Sequence, residues 1–142
     1  MIPQWATNYI GIPFEDTEEP SRSGTNCWGL TRLLYREQLH IELPSLKQQY
    51  GSSFFPKEID RVIREQIEQS WLDVQIPIVL DLVILRMLSA NSHVGVMLDK
   101  RYFLHTHESS SSEQGDLNSI AWNKRITGYY RYKDRIVNAL RY

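Results

Sequence analysis

The texture of the chain changes at Pro77, and that change limits the folds open to it. Ahead of Pro77 lie two stretches with apolar residues at helical spacing. The first starts at Cys27 and puts Leu30, Leu33 and Leu34 on one face, with Arg32, Arg36 and Glu37 mostly outside. Asn26 is a natural N-cap, because its side chain accepts from the unpaired amides of a first turn. Pro44 closes this region. The second stretch begins near Pro56 and carries Ile59, Val62, Ile63 and Ile67 opposite Glu, Arg and Gln. After Pro77 come short β-rich runs: Val79 to Leu85, His93 to Leu98, Tyr102 to Thr106 and Ile126 to Tyr132. Asn91-Ser92 separates the first two, and Asp99-Lys100-Arg101 joins the second and third as in a hairpin. Helices first and antiparallel strands after predict an α+β domain, a helical layer packed on a small antiparallel sheet.

At 142 residues the chain reads as one domain over 1–142, long enough for a substantial core. A formal net charge of −1 gives no electrostatic case for nucleic acid or an anionic membrane. The longest apolar run, around Ile76 to Leu85, is broken by Pro77 and Asp81 and does not span a bilayer. The start, Met-Ile-Pro-Gln-Trp, lacks the basic and apolar regions of a signal peptide, so the expectation is synthesis in the cytoplasm. A single cysteine excludes an internal disulfide. Two loops stand out, Glu15 to Asn26 and the polar run Glu108 to Ser119, which contains Ser109 to Ser112. The acidic segment Glu15 to Glu19 reads as solvated, Tyr129 to Lys133 as an edge strand with a basic side, and His40 as a surface or helix-end residue.

Cys27 at a helix start is the first candidate for chemistry. The thiolate is the reactive form, and unpaired first-turn amides at the positive end of the helix dipole favour it. The competing reading is a small buried hydrophobe, as free cysteines often are. His93 opens the run His-Val-Gly-Val-Met-Leu, and His105 follows it by twelve residues on the neighbouring strand. Cross-strand neighbours approach to about 5 Å, so the two imidazoles are within reach of one another if the register allows. A nucleophile, a base and an orienting polar group form a Cys-His-polar triad. His107 shares a face with His105 and rivals it for the orienting role. The alternative is zinc, with His105 and His107 chelating and His93 as a third ligand. No paired cysteines accompany them, and Glu108 and Asp99 carry no recognisable ligand spacing, so no metal is expected.

The series Tyr9-Ile-Gly-Ile-Pro-Phe14, Asn26-Cys-Trp-Gly-Leu30, Leu43-Pro44, Asp81-Leu-Val-Ile-Leu85, His93-Val-Gly-Val-Met97 and Phe103-Leu-His105 resembles the NlpC/P60 family of cysteine peptidases. The likeness covers about residues 5 to 130. It implies a papain-like α+β fold, with Cys27 as nucleophile, His93 as base and His105 as the residue that orients it. It further implies hydrolysis of peptide-stem amides in bacterial peptidoglycan through a thioester, without a cofactor. Phe14, Asn26, Trp28 and His107 are the candidate substrate-side residues. Several depart from the family pattern: Asn26 stands for the usual Asp, Trp28 for Ser, Phe14 for Tyr, and Leu80 for Gly. The Cys-Trp-Gly-Leu variant resembles phage tail-associated members, which would deliver the domain to the wall alongside tail or other assembly proteins. Two alternatives remain at this point: an inactive assembly or binding module on the same fold, and a thiol amidase or acyltransferase acting on a non-wall substrate.

Overall fold

Asn26 converts the extended approach into helix. Its backbone is extended, its side chain accepts from Gly29 N–H at 2.9 Å, and its carbonyl accepts from Leu30 N–H. The helix so started, α1, runs Cys27–Leu34 and passes into a single π turn, Tyr35–Leu39, ended by His40 in the left-handed region. His40 is exposed there, as a helix-end residue. Gly29 is required by contact: a Cβ on it would lie 1.7 Å from Thr25 Oγ1 and 3.0 Å from the Glu18 backbone. The computed structural model describes residues 1–46, 56–87, 90–108 and 110–135. Ser109 and the side chain of Ile59 lie outside the described residues.

A second helix, α2 (Pro56–Ser70), leads directly into the sheet. The strands are β1 (Trp71–Val74), β2 (Leu82–Met87), β3 (Ala90–Met97), β4 (Tyr102–His105), β5 (Glu113–Asp116) and β6 (Ile126–Tyr132). They form one antiparallel sheet in the order β1-β6-β2-β3-β4-β5. Helices with a six-stranded antiparallel sheet make this an α+β fold. Side chains alternate across the sheet. Leu82, Ile84, Val94, Val96 and Leu104 face α1 and α2, joining Leu30, Leu33, Leu34, Val62 and Ile63. Val83, Leu85, Met97 and Phe103 form the opposite face, covered by Leu117 and Trp122. Both faces are buried, so β2 reads as the unbroken apolar run Leu82 to Leu85, each residue worth roughly 1.5–3 kcal/mol on burial.

Several sequence expectations are corrected. Asn91-Ser92 lies inside β3 and does not separate strands. Val79 and Leu80 form a turn ahead of β2, with Leu80 at φ 71 where the family pattern has glycine. Tyr129 to Tyr132 belong to an internal strand, since β6 pairs with both β1 and β2. Glu18 is buried at 2% exposure, because its carboxylate accepts from Leu46 N–H at 2.8 Å and from the Ser45 hydroxyl. The polar run 108–119 contains β5, an edge strand held by backbone pairing to β4.

Asp81, fully buried at the head of β2, ties the middle of the chain to the segment around Arg131 and Arg135. Its carboxylate accepts from Arg131 Nε and Nη2 at 2.9 and 2.8 Å, from Arg135 Nη1 at 3.2 Å and from Ile78 N–H at 2.8 Å. Removing one member of such a buried set leaves the others uncompensated. Asp81→Ala should therefore lower the unfolding free energy by about 3 kcal/mol in urea titrations, at the low end for buried pairs because both arginines keep some access to water. A loss under about 1 kcal/mol would refute this account of Asp81.

Candidate active site

β3 sets the geometry. Met97 donates to Asp81 O on the β2 side, whereas Leu98 donates to Tyr102 O on the β4 side. By the alternation of an antiparallel strand, Val96 and Val94 also direct their N–H groups toward β4. Pairing with β4 extends from the turn only to Val96↔Leu104. Beyond it the strands part, and the Val94 amide faces the sulfur of Cys27 instead. The Cys27 and Trp28 amides of the first helical turn also reach that sulfur. Burial pushes the thiol up from its ordinary value, and these three amides, Val94 foremost, pull the other way without cancelling it. The helix start does not by itself yield a thiolate.

His93, one residue before Val94, is buried at 4% exposure. Its Nε2 lies 2.9 Å from His105 Nδ1 in a hydrogen bond. Trp122 stacks on the His93 ring at 5.5 Å and 10°, and meets the edge of His105 at 5.1 Å and 87°. Phe103 lies beneath His105 with centroids 4.7 Å apart. Burial lowers His93 to about 3, aided by His105 and His107; burial likewise lowers His105 to about 4, aided by His107. Both rings are neutral at pH 7. His105 Nε2 is buried, has no hydrogen-bond partner among the described residues, and lies 3.5 Å from Glu113 Oε1. A carboxylate at that distance favours an N–H over a lone pair on Nε2. Nδ1 of His105 is then the acceptor, His93 carries its proton on Nε2, and His93 Nδ1 is left with a free lone pair.

The structure thus joins His93 to His105 through a hydrogen bond, with His107 alongside at ring distances of 6.0 and 5.6 Å. Cys27 is placed against Val94 N–H, and among the described residues no hydrogen bond links its sulfur to either histidine. The side chains of two substrate-side candidates turn inward. Asn26 is 3% exposed and spends its side chain on capping α1. Trp28 is 6% exposed and donates Nε1–H to Pro44 O at 2.8 Å, so it is core. Phe14 is half-buried, bridged to Thr25 in the loop ahead of α1. Sequence reading missed Trp122 and Glu113. Neither sits in an apolar pattern, although Glu113 follows the His-x-His run by six residues.

A histidine buried neutral binds its proton more readily in the unfolded chain, whose value is about 6.5. Stability contributed by His93 and His105 is full above that value and is lost as pH falls toward their folded values of about 3 and 4. Each can contribute a slope of up to about 1.4 kcal/mol per pH unit. Urea unfolding between pH 6.5 and 4.5, in EDTA, should show stability falling with pH, and His93→Gln should flatten that fall. Equal slopes in the two proteins would contradict it.

Comparison with known proteins places this arrangement. The NlpC/P60 family profile matches residues 16–131, from the loop ahead of Cys27 into β6. Murein DD-endopeptidase MepS/Murein LD-carboxypeptidase of Escherichia coli K12 is 27% identical over 116 residues, covering 81% of this chain and 53% of that protein. Its counterpart in E. coli O157:H7 gives the same figures. The chain therefore spans about half the length of the curated relatives it matches. A crystal structure from Staphylococcus aureus Mu50, of a protein similar to lipoprotein of the NLP/P60 family, superposes with a TM-score of 0.60 at 20% identity. It covers 89% of this chain and 38% of that one, a likeness of fold. With most of its length matched, this chain belongs to the NlpC/P60 family.

Proposed function

We propose that this chain is a cysteine peptidase that hydrolyses peptide-stem amide bonds of bacterial peptidoglycan through a thioester. The observation that carries the reading is the His93–His105 hydrogen bond beside the residue whose amide faces Cys27. Cys27 is the nucleophile, His93 the base and His105 the residue that holds His93 in the working tautomer. The family, and the likeness to murein endopeptidases, support the wall as substrate.

The resting site holds a thiol and a neutral imidazole, so activation is general-base catalysis as substrate binds. The Cys27 proton passes to His93 Nδ1 while sulfur attacks the scissile carbonyl. His93 returns the proton to the departing amine, leaving a thioester. Water then loses a proton to His93, attacks the thioester and releases the acid, and His93 reprotonates the thiol. Asn26 takes up Gly29 and Leu30, leaving the Cys27 and Trp28 amides as donors for the oxyanion. Closure around substrate must also bring Sγ to His93, since the two are not hydrogen-bonded at rest.

Digestion of purified peptidoglycan, with new termini identified by mass spectrometry, tests this directly. The wild type should release stem-peptide fragments. Cys27→Ala should abolish release, and His93→Ala should reduce the rate by about 10²–10⁴-fold. No fragments from the wild type, or equal fragments from Cys27→Ala, would sink the reading and favour an inactive binding module.

A further inference from the structure

We propose that His105, His107 and Glu113 form a binding site for a divalent transition metal of the zinc class, and that filling it switches off His93 as a base. The inhibitory half rests on the hydrolase reading above; the binding half does not. Ligand-capable atoms of these three residues lie within 4.8 Å of one another, with Glu113 Oε1 3.5 Å from His105 Nε2 and 3.8 Å from His107 Nε2. Tetrahedral zinc with bonds of about 2.0–2.2 Å sets its ligands roughly 3.3 Å apart, so little closure is needed.

Two observations point at a cation. His105 Nε2 is buried at 1% residue exposure, unpartnered among the described residues and directed at the cluster. His107 Nδ1 lies 3.3 Å from the Glu108 carbonyl, an acceptor, which leaves Nε2, on the Glu113 side, as the nitrogen a metal would take. A backbone carbonyl on the far nitrogen is the usual outer contact of a metal-bound histidine. His107 and Glu113 keep solvent access, which leaves an entry path and room for a water as fourth ligand. The zinc set weighed from sequence is thereby altered: His93 Nε2 is taken by His105, and Glu113 supplies the third ligand in place of His93.

The consequence for His93 follows from proton bookkeeping. Metal on His105 Nε2 requires that ring to hold its proton on Nδ1. That N–H donates to His93 Nε2, which must then be the acceptor. The His93 proton moves to Nδ1, and the nitrogen that would receive the thiol proton is already filled. Neither ring gains or loses charge; each proton changes nitrogen.

Untagged, metal-free protein titrated with Co²⁺ tests binding by the d–d absorbance of a low-coordinate site. Wild type and Cys27→Ala should bind one equivalent with similar affinity, and His107→Gln and Glu113→Gln should bind at least about tenfold more weakly. With Zn²⁺, peptidoglycan cleavage relative to each protein's own rate in EDTA should fall. His107→Gln should need about tenfold more metal for the same fractional inhibition. Equal Co²⁺ binding by wild type, His107→Gln and Glu113→Gln would overturn the proposal. So would binding lost in Cys27→Ala alone, which would put the metal on the thiol. Absence of cleavage in EDTA would count against the hydrolase reading only, with the cobalt titration still deciding the site.

Discussion

The candidate site depends on where β3 stops pairing with β4. As far as Val96↔Leu104 the two strands satisfy one another; past that point β3 continues with β2 alone. An amide pointing into such a gap needs another acceptor. Cys27, delivered by the Asn26 cap at the head of α1, stands there. The same strand sends the preceding side chain, His93, to the opposite face, where Phe103, His105 and Trp122 enclose it. Cys27 thus comes from the helix on one side of the sheet and His93 from the opposite face of β3, at the point where the sheet opens.

What supports this opening is distributed around it. Asp81 anchors the start of β2 to the C-terminal arginines and so fixes the strand against which β3 is registered. Phe103 fits because glycines face it from both neighbouring strands: a Cβ on Gly95 would lie 2.6 Å from its ring, and one on Gly115 2.4 Å. That close packing holds His105 at the level of His93. The N-terminal arm is fastened to the segment ahead of β5 by Ser112, which accepts from Ile12 N–H and donates to Tyr9 O. Loosening any of these would move the imidazole pair relative to the thiol.

Much of this was legible in the residues. The cap at Asn26, the apolar faces of both helices and the His93–His105 spacing each follow from a local rule, and the structure follows those rules. Other parts were not legible for identifiable reasons. β5 is Glu-Gln-Gly-Asp, a strand by backbone pairing alone, so no periodicity marks it. β1 follows α2 with no turn residue between them. Asn26 and Trp28 flank Cys27 in sequence, yet their side chains turn inward to cap and core, which only the helix's docking decides. Whether His105 or His107 meets His93 was open from spacing; strict register would set His107 opposite, and the parting of the strands brings His105 instead. Glu113 and Trp122 reach the site from a long polar connection whose path no local pattern specifies.

At rest the imidazoles form an ordered neutral chain that leaves the free lone pair on His93 Nδ1. Nitrogen-15 spectra of the imidazoles in metal-free protein at pH 7 read this directly. They should give both His93 and His105 as neutral rings protonated on Nε2. An imidazolium at His93, or a neutral His93 carrying its proton on Nδ1, would contradict it.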